Sequence, residues 1–233
     1  MIQLSDYNQW KTQFKDSDTY QKLIEDFDLV YFHKEWYAPE SYYTGTGTKP
    51  SEHTTPRQEF ANPPVAQSMF SAIPFYYIDW LQQSKPSKIY DLGCGWNIFK
   101  RYYTNIIGID PTFADADMHG VVDSAYIKEH QEYFESVFSI NALHFIPLSG
   151  MKKRVSNFAS MIKPGGRGWL TMNAMRMLER DTDVFGDKDK EYIEAYIKEQ
   201  LSSLPNVQSV DIDLSVMDDF LDGNIQIVFS KNL

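Results

Sequence analysis

The sequence contains one cysteine, Cys94, so it cannot form a disulfide framework or a cysteine-cluster metal site. Three of its histidines, His33, His53 and His119, show no zinc-ligand spacing, and we expect no metal centre. No apolar run approaches the roughly 20 residues that a bilayer span requires. The opening residues, MIQLSDYNQWKTQFKDSD, lack the basic and then apolar segments of a signal peptide. These absences predict a soluble, cytoplasmic protein with no membrane partner.

Basic residues are also scarce, since 22 Lys and Arg stand against 32 Asp and Glu, for a net charge of -10. The acidity lies at the two ends: residues 1–64 carry -4 and residues 179–233 carry -8, whereas residues 65–178 carry +2. Phosphate neutralisation by Lys and Arg supplies much of the affinity for nucleic acid. A nucleic acid is therefore a less favoured partner. The apolar fraction of 42% is that of a globular protein and excludes disorder throughout the chain.

The amino-terminal third is rich in aromatic residues and reads as a helical cap, which we assign to residues 1–85. Helical spacing over residues 5–30 predicts one or two helices. Residues 33–64 combine proline, glycine and threonine with several rings, and predict a long loop. That loop is either a lid over an acceptor site or a strap packed over a sheet. Residues 65–83 predict a helix that Pro74 kinks or divides.

From residue 86 to residue 233 the pattern changes to strands alternating with helices, which indicates a parallel α/β sheet. The predicted strands are 88–92, 105–110, 121–123, 136–143 and 169–172, and the predicted helices are 93–103, 126–135, 151–162 and 187–203. Two further strand-like runs, Val207–Val216 and Asn224–Ser230, have no helix between them. They predict a hairpin that adds an antiparallel edge strand.

The most informative segment is IYDLGCGWN, residues 89–97, in which an apolar strand leads through Asp91 into Gly93-Cys94-Gly95. Such a turn lets the backbone approach a ligand, although a turn that needs only positive φ has the same signature. Asp110 ends the next strand, 19 residues after Asp91, where a carboxylate can hold a ribose diol. Ile98 stands where a dinucleotide site prefers a third glycine. A ligand with a ribose and no phosphate therefore fits better.

Four motifs in this order resemble those of the class I S-adenosylmethionine-dependent methyltransferases. They are DLGCG at 91–95, IIGID at 106–110, FESVFSINALH at 134–144 and IKPGGR at 162–167. The resemblance covers about residues 86–175. It implies a Rossmann-like sheet of seven strands, mostly parallel, with an antiparallel last strand, and S-adenosylmethionine as the cofactor. Asn97 stands where the family often has another glycine.

The resemblance also implies which residues bind the cofactor. The turn Gly93-Cys94-Gly95 would lie against its methionine part, with Asp91 near the amino group and Asp110 on the ribose hydroxyls. Asp123, in Val122-Asp123-Ser124, matches the acid that meets the adenine amino group, and Ser124 is included with it. Asp115 and Asp117 compete for that role.

Asn141 and His144 follow the fourth strand of the family pattern, where residues face the transferred methyl group. We expect Asn141 to bind cofactor and to take part in catalysis, with His144 as the base if the acceptor must lose a proton. A structural role for His144 stays open. Cys94 is expected to be a buried filler rather than a nucleophile.

The sequence therefore predicts a methyltransferase that acts on a small molecule or a protein side chain. The alternative is a non-catalytic binding or assembly protein that keeps this fold, and Asn97 and the short helix after the glycine turn motivate it. A nicotinamide-dependent reductase is a third and more distant reading. The oligomeric state and the acceptor leave no signature in the sequence.

Overall fold

The structure, a computed structural model, describes residues 9–10, 12–14, 16–26, 72–95, 97–113, 115–143, 146–212 and 224–232. The chain divides into two units, with the boundary after Trp80. The predicted loop over residues 33–64 lies outside the described residues. Within the described ranges, no helix is both long and apolar enough to cross a membrane.

Aromatic rings pack together in the described part of the first unit. The ring of Phe14 is buried, and its centroid lies 4.5 Å from that of Trp10 and 5.5 Å from that of Phe75. The indole N–H of Trp10 donates a hydrogen bond of 2.8 Å to the Asp79 carboxylate. Part of the aromatic excess seen in the sequence thus forms an apolar cluster in this unit.

Two helices whose bounds lie among the described residues include residues of this unit. Helix α1 spans Asp18–Asp26, and helix α2 spans Ala72–Gln82. Pro74 is the third residue of α2, in the first helical turn, where a backbone N–H has no intrahelical acceptor. Residues 65–71 lie outside the described residues, so the predicted kink or division at Pro74 stays a prediction.

Six strands form one sheet in the second unit. They are β1 Ile89–Leu92, β2 Ile106–Ile109, β3 Phe134–Ile140, β4 Ile162–Asn173, β5 Val207–Ile212 and β6 Asn224–Ser230. The strand order is β2-β1-β3-β4-β6-β5. The pairs β1–β2, β1–β3 and β3–β4 are parallel, which confirms a mostly parallel α/β sheet.

The last strand, β6, is antiparallel to both of its neighbours, as predicted, and β5 takes the edge position of the predicted hairpin. β6 pairs with β4 on one side, with Trp169 opposite Val228, and with β5 on the other, with Val210 opposite Ile227. Ile225, Ile227 and Phe229 are fully buried. The near-continuous apolar run IQIVF suits an interior strand, whereas β5 carries polar residues in VQSVDI and takes the outer position.

The predicted third strand at 121–123 is wrong in this structure, which shows six strands among the described residues. Val121 is 60% exposed, and Asp123 is the N-cap of the helix that follows. The outer side of β2 instead meets Met118 in a single parallel bridge at Ile109. The Asp110 N–H donates to the Met118 carbonyl at 3.1 Å. Met118 thus pairs with β2 in one bridge, and the short strand predicted at 121–123 does not form.

A one-turn 3₁₀ helix, Ile98–Arg101, replaces the predicted helix over residues 93–103. Asn97, which precedes it, has φ +52°, and the Tyr102 and Tyr103 N–H groups both donate to the Phe99 carbonyl. Ile106 already begins β2. The connection therefore has room for one helical turn.

Five further helices and a second 3₁₀ turn lie in the described part of the unit. They are α3 Ser124–Glu129, the 3₁₀ turn Leu148–Gly150, α4 Met151–Met161, α5 Ala174–Leu178, α6 Thr182–Phe185 and α7 Lys190–Ser202. In α7 the buried residues Ile193, Ile197 and Leu201 repeat every four positions and form one apolar face. Phe158 of α4 packs on Phe229 of β6, with centroids 5.3 Å apart.

Gly108 of β2 gives the chain after β1 room to fold back over the sheet. A Cβ at Gly108 would lie 2.5 Å from Cγ and Oδ1 of Asn97 and 2.6 Å from Sγ of Cys94. Both side chains are buried. A methyl group at this position would therefore push the glycine turn away from β2.

We expect Gly108→Ala to lower the free energy of unfolding by about 1–3 kcal/mol, the usual cost of overpacking. Gly120→Ala is the matched control, because its Cβ would lie 3.7 Å from Ile109, an ordinary contact. The control should stay within about 0.5 kcal/mol of wild type. Urea denaturation measures both, and equal stability of the two variants would contradict the packing argument.

Candidate functional site

The order in which the strands are added changes direction at β1. From β1 the chain moves to β2 on one side and later to β3 on the other. In parallel α/β sheets, ligands bind at the carboxyl ends of the strands beside such a switch point. Gly93, Asp110 and Asn141 directly follow β1, β2 and β3. The sheet therefore brings these three predicted residues to one edge.

The glycine turn is fastened to β2 and leaves space above its second glycine. The Gly93 N–H donates to the Ile109 carbonyl at 2.7 Å, and Gly93 has φ +79°. A Cβ on Gly93 would lie 2.2 Å from Cβ of Ala142, so the turn also touches the chain after β3. Gly95 has φ +52°, and a Cβ there would meet no heavy atom of the described residues beyond its chain neighbours within 4 Å. A ligand can therefore approach the backbone at Gly95.

Asp91 is a buried carboxylate, with 3% of its surface exposed. No described residue donates a hydrogen bond to it. Burial, and then the negative charge of Asp110, raises the pKa of Asp91 well above its ordinary value. An unpartnered buried carboxylate destabilises a fold unless a cation or a donor joins it. Asp91 therefore has the chemistry to receive an ammonium group.

Asp110 is also buried, but its carboxylate is held by four donors. Oδ1 accepts from the Thr112 N–H at 2.9 Å and from the Thr112 hydroxyl and the Phe113 N–H, each at 3.2 Å. Among the residues that the structure describes, Oδ2 accepts only the Gly95 N–H, at 3.2 Å. The carboxylate is therefore fixed in orientation, and Oδ2 keeps capacity for one more donor, such as a hydroxyl group.

Asn141 lies at the end of β3, where Thr171 of β4 holds it. Its backbone N–H donates to the Thr171 hydroxyl at 3.0 Å, and that hydroxyl donates to Asn141 Oδ1 at 3.0 Å. Asn141 has φ +48°, a conformation that asparagine tolerates better than most residues. The orientation of its carboxamide is thus fixed. Sequence reasoning missed Thr171, although a threonine inside the apolar run WLTM was a usable signal.

Cys94 lies inside the turn with 6% of its surface exposed. Burial raises the pKa of its thiol, and the negative charges of Asp91, Asp110 and Asp117 raise it further. The thiolate is therefore strongly disfavoured. The thiol packs over Gly108, in keeping with the expected role of a small filler.

Asp123 and Ser124 are at the start of α3, and both are exposed. Asp123 is the N-cap: its Oδ1 accepts the Tyr126 N–H at 2.9 Å. One carboxylate oxygen of Asp123 thus serves the helix, and the predicted adenine contact stays a prediction. The predicted catalytic residue His144 lies outside the described residues.

The strand order, the switch point and the glycine turn define a Rossmann-like α/β protein with a candidate ligand crevice at the carboxyl edge of its sheet. No model of a known protein family matches the sequence, and no curated protein sequence matches it.

Solved structures with a similar chain path include methyltransferases. The S-adenosylmethionine-dependent methyltransferase of Mesorhizobium loti has 14% identity and a TM-score of 0.40, over 66% of this chain and 96% of that one. Phosphoethanolamine N-methyltransferase 2 of Haemonchus contortus, in complex with S-adenosyl-L-methionine, has 15% identity and a TM-score of 0.48, over 83% and 60%. The PH0226 protein of Pyrococcus horikoshii OT3 has 13% identity and a TM-score of 0.48, over 80% and 100%.

Asp91→Asn tests whether the buried carboxylate serves a ligand rather than the fold. A folded-state pKa above the ordinary 3.8 means that the wild type loses stability as the pH rises from about 3.8 to that raised pKa. The neutral variant avoids this loss. We therefore expect a higher Tm for Asp91→Asn at pH 7, with a difference that shrinks toward pH 4.

Asp123→Asn is the control, because asparagine caps a helix about as well as aspartate. Its stability should remain within a few tenths of a kcal/mol of wild type. Thermal unfolding by circular dichroism measures both variants. A lower Tm for Asp91→Asn at pH 7 would mean that the fold itself needs the Asp91 carboxylate.

Proposed function

We propose that this protein is a methyltransferase that uses S-adenosylmethionine to methylate a small molecule or a protein side chain. The observation that carries the proposal is the buried carboxylate of Asp91, which no described residue satisfies, in the strand that leads into the open turn at Gly95. An amino acid moiety supplies what this arrangement lacks, because its ammonium group can neutralise Asp91.

The remaining cofactor contacts follow from the same edge of the sheet. The turn from Gly93 to Gly95 would face the methionine part, and Asp110 Oδ2 would accept a ribose hydroxyl. Asp123 and Ser124 are proposed for the adenine end. The two carboxylates therefore have different proposed ligand groups. Asp91, which no described residue satisfies, would bind the ammonium group, and Asp110, which four donors hold, would accept the hydroxyl.

The cofactor would supply a methyl group on a sulfonium. An acceptor would attack the methyl carbon in line, and the carbon–sulfur bond would break as the new bond forms, so that S-adenosylhomocysteine would leave as a neutral thioether. In such a reaction the protein contributes chiefly position and exclusion of water. Asn141, whose carboxamide Thr171 orients, is proposed to position the cofactor and the acceptor at the end of β3. His144 is proposed to take a proton from an acceptor that must lose one.

Binding of S-adenosylhomocysteine to the full chain, measured by isothermal titration calorimetry, tests the proposal directly. We expect Asp110→Ala to weaken binding at least tenfold, because it removes the hydroxyl acceptor and releases the Gly95 N–H. Asp187→Ala, an exposed carboxylate paired with Lys188, is the control and should leave the affinity unchanged. Absence of binding by folded wild type would favour a non-catalytic binding protein with this fold.

Affinity for S-adenosylhomocysteine should also depend on pH through Asp91. At a pH below the raised pKa of Asp91, the free protein holds a proton on that carboxylate, which a bound ammonium group displaces. Binding therefore tightens as the pH rises toward that pKa, by at most about tenfold per pH unit for one proton released. Calorimetry from pH 5 to pH 8 measures the slope. Asp91→Asn should bind S-adenosylhomocysteine more weakly, and its affinity should not show this pH dependence. An unchanged slope in the variant would mean that a group other than Asp91 causes the pH dependence.

A further inference from the structure

Three side chains connect the turn after β1 with the segment after β2. Asn97 Nδ2 donates to the Asp115 carbonyl at 3.1 Å and to Asp117 Oδ2 at 2.9 Å. The same Asp117 oxygen accepts the Gly108 N–H at 2.9 Å. The Lys100 ammonium forms an ion pair with Asp117 Oδ1. Asn97, Lys100 and Asp117 are called the clamp below.

The clamp is partly shielded from water and uses both oxygens of its carboxylate. The side chains of Lys100 and Asp117 are 38% and 24% exposed, and Asn97 is buried. Burial alone would raise the pKa of Asp117. The hydrogen bonds from Lys100, the Gly108 N–H and Asn97, together with the Lys100 charge, outweigh it and lower that pKa. Asp117 therefore acts as an ionised anchor.

The backbone that the clamp holds needs such an anchor. Gly93, Gly95 and Asn97 all have positive φ, three of five consecutive residues. Backbone of this kind persists where surrounding contacts determine it. The turn is bound to β2 at Gly93 and to Asp110 at Gly95, and the clamp supplies the attachment at Asn97.

The segment after β2, residues 110–118, is held by Asp110 and Asp117, which also hold the turn at 93–97. Asp110 fixes its beginning through Thr112 and Phe113, and Asp117 fixes its end beside the bridge from Met118 to Ile109. The clamp therefore joins two segments, 93–97 and 110–118, that border the candidate crevice on its β1 and β2 sides.

The geometry points to Asp117 and Lys100 as positioning residues that keep the turn at 93–97 in its ligand-binding conformation. This inference rests on the proposed function for its ligand. The sequence left Asp117 as a competitor for the adenine contact. Since both of its oxygens already hold protein donors, it acts on the ligand through the turn instead.

Two measurements on the full chain test the clamp. The first is hydrogen–deuterium exchange over residues 93–97 in the ligand-free protein, and the second is calorimetric affinity for S-adenosylhomocysteine. The variants are Lys100→Met, Asp117→Asn, the double variant and Lys100→Arg. Lys163→Met is the matched control, because Lys163 pairs with Glu135 at 41% side-chain exposure, close to that of Lys100, but at the amino ends of β3 and β4.

We expect Lys100→Met and Asp117→Asn each to raise exchange over 93–97 and to weaken affinity by about three- to tenfold. That range corresponds to a reduction, to about a third or a tenth, in the fraction of protein molecules whose turn is in the ligand-binding conformation. The double variant should be no worse than the more severe single variant, because both act through one ion pair. Lys100→Arg should retain wild-type values within about twofold, since it keeps the charge. Lys163→Met should match wild type in both measurements.

Several outcomes would overturn the inference. One is unchanged exchange over 93–97 in a folded Lys100→Met protein, which decides the matter even if one variant of Asp117 fails to fold. Another is strictly additive effects in the double variant. If wild type does not bind S-adenosylhomocysteine, the proposed function fails, while the exchange data still decide whether the clamp holds the turn.

Discussion

The hydrogen bonds from the Gly93 and Cys94 N–H groups to the Ile109 carbonyl, 2.7 and 3.2 Å long, are the contacts on which the candidate site depends. They bend the chain after β1 over the end of β2. This bend places Gly95 within reach of Asp110 and leaves the space above Gly95 open. The missing side chain of Gly108 makes the bend possible, since any Cβ there would collide with the turn.

The site also buries two carboxylates, Asp91 and Asp110, and the fold uses only that of Asp110 for hydrogen bonds among the described residues. Ionisation of Asp91 is less favourable than it is in water, because Asp91 itself is buried and because the charge of Asp110 lies nearby. The protein satisfies Asp110 with four donors and supplies none to Asp91 from its described residues. Such an imbalance is a feature of binding sites, where a ligand completes the electrostatics.

Much of the sheet could be predicted, because short apolar runs typical of strands alternate with segments of helical spacing, and both patterns are local properties of the sequence. The hairpin over residues 207–230 was predicted from the absence of a helix between two strand-like runs. Its position was not, because which of two strands lies inside depends on burial against β4. The strand expected at 121–123 does not form, for a local reason. Asp123 caps α3, so that only Val121 and Val122 of the predicted strand remain.

Asp91, the glycine turn and Asp110, at the ends of successive strands, point to the carboxyl edge of the sheet as the candidate site from the amino-acid sequence alone. The roles of Asn97, Asp117 and Thr171 become visible only in the folded chain. Asn97 bonds to Asp117 across 20 positions and Thr171 to Asn141 across 30, and no periodicity connects residues so far apart. Hydrogen bonding between segments depends on how the chain folds back, whereas glycines that permit a positive φ can be recognised in the sequence itself.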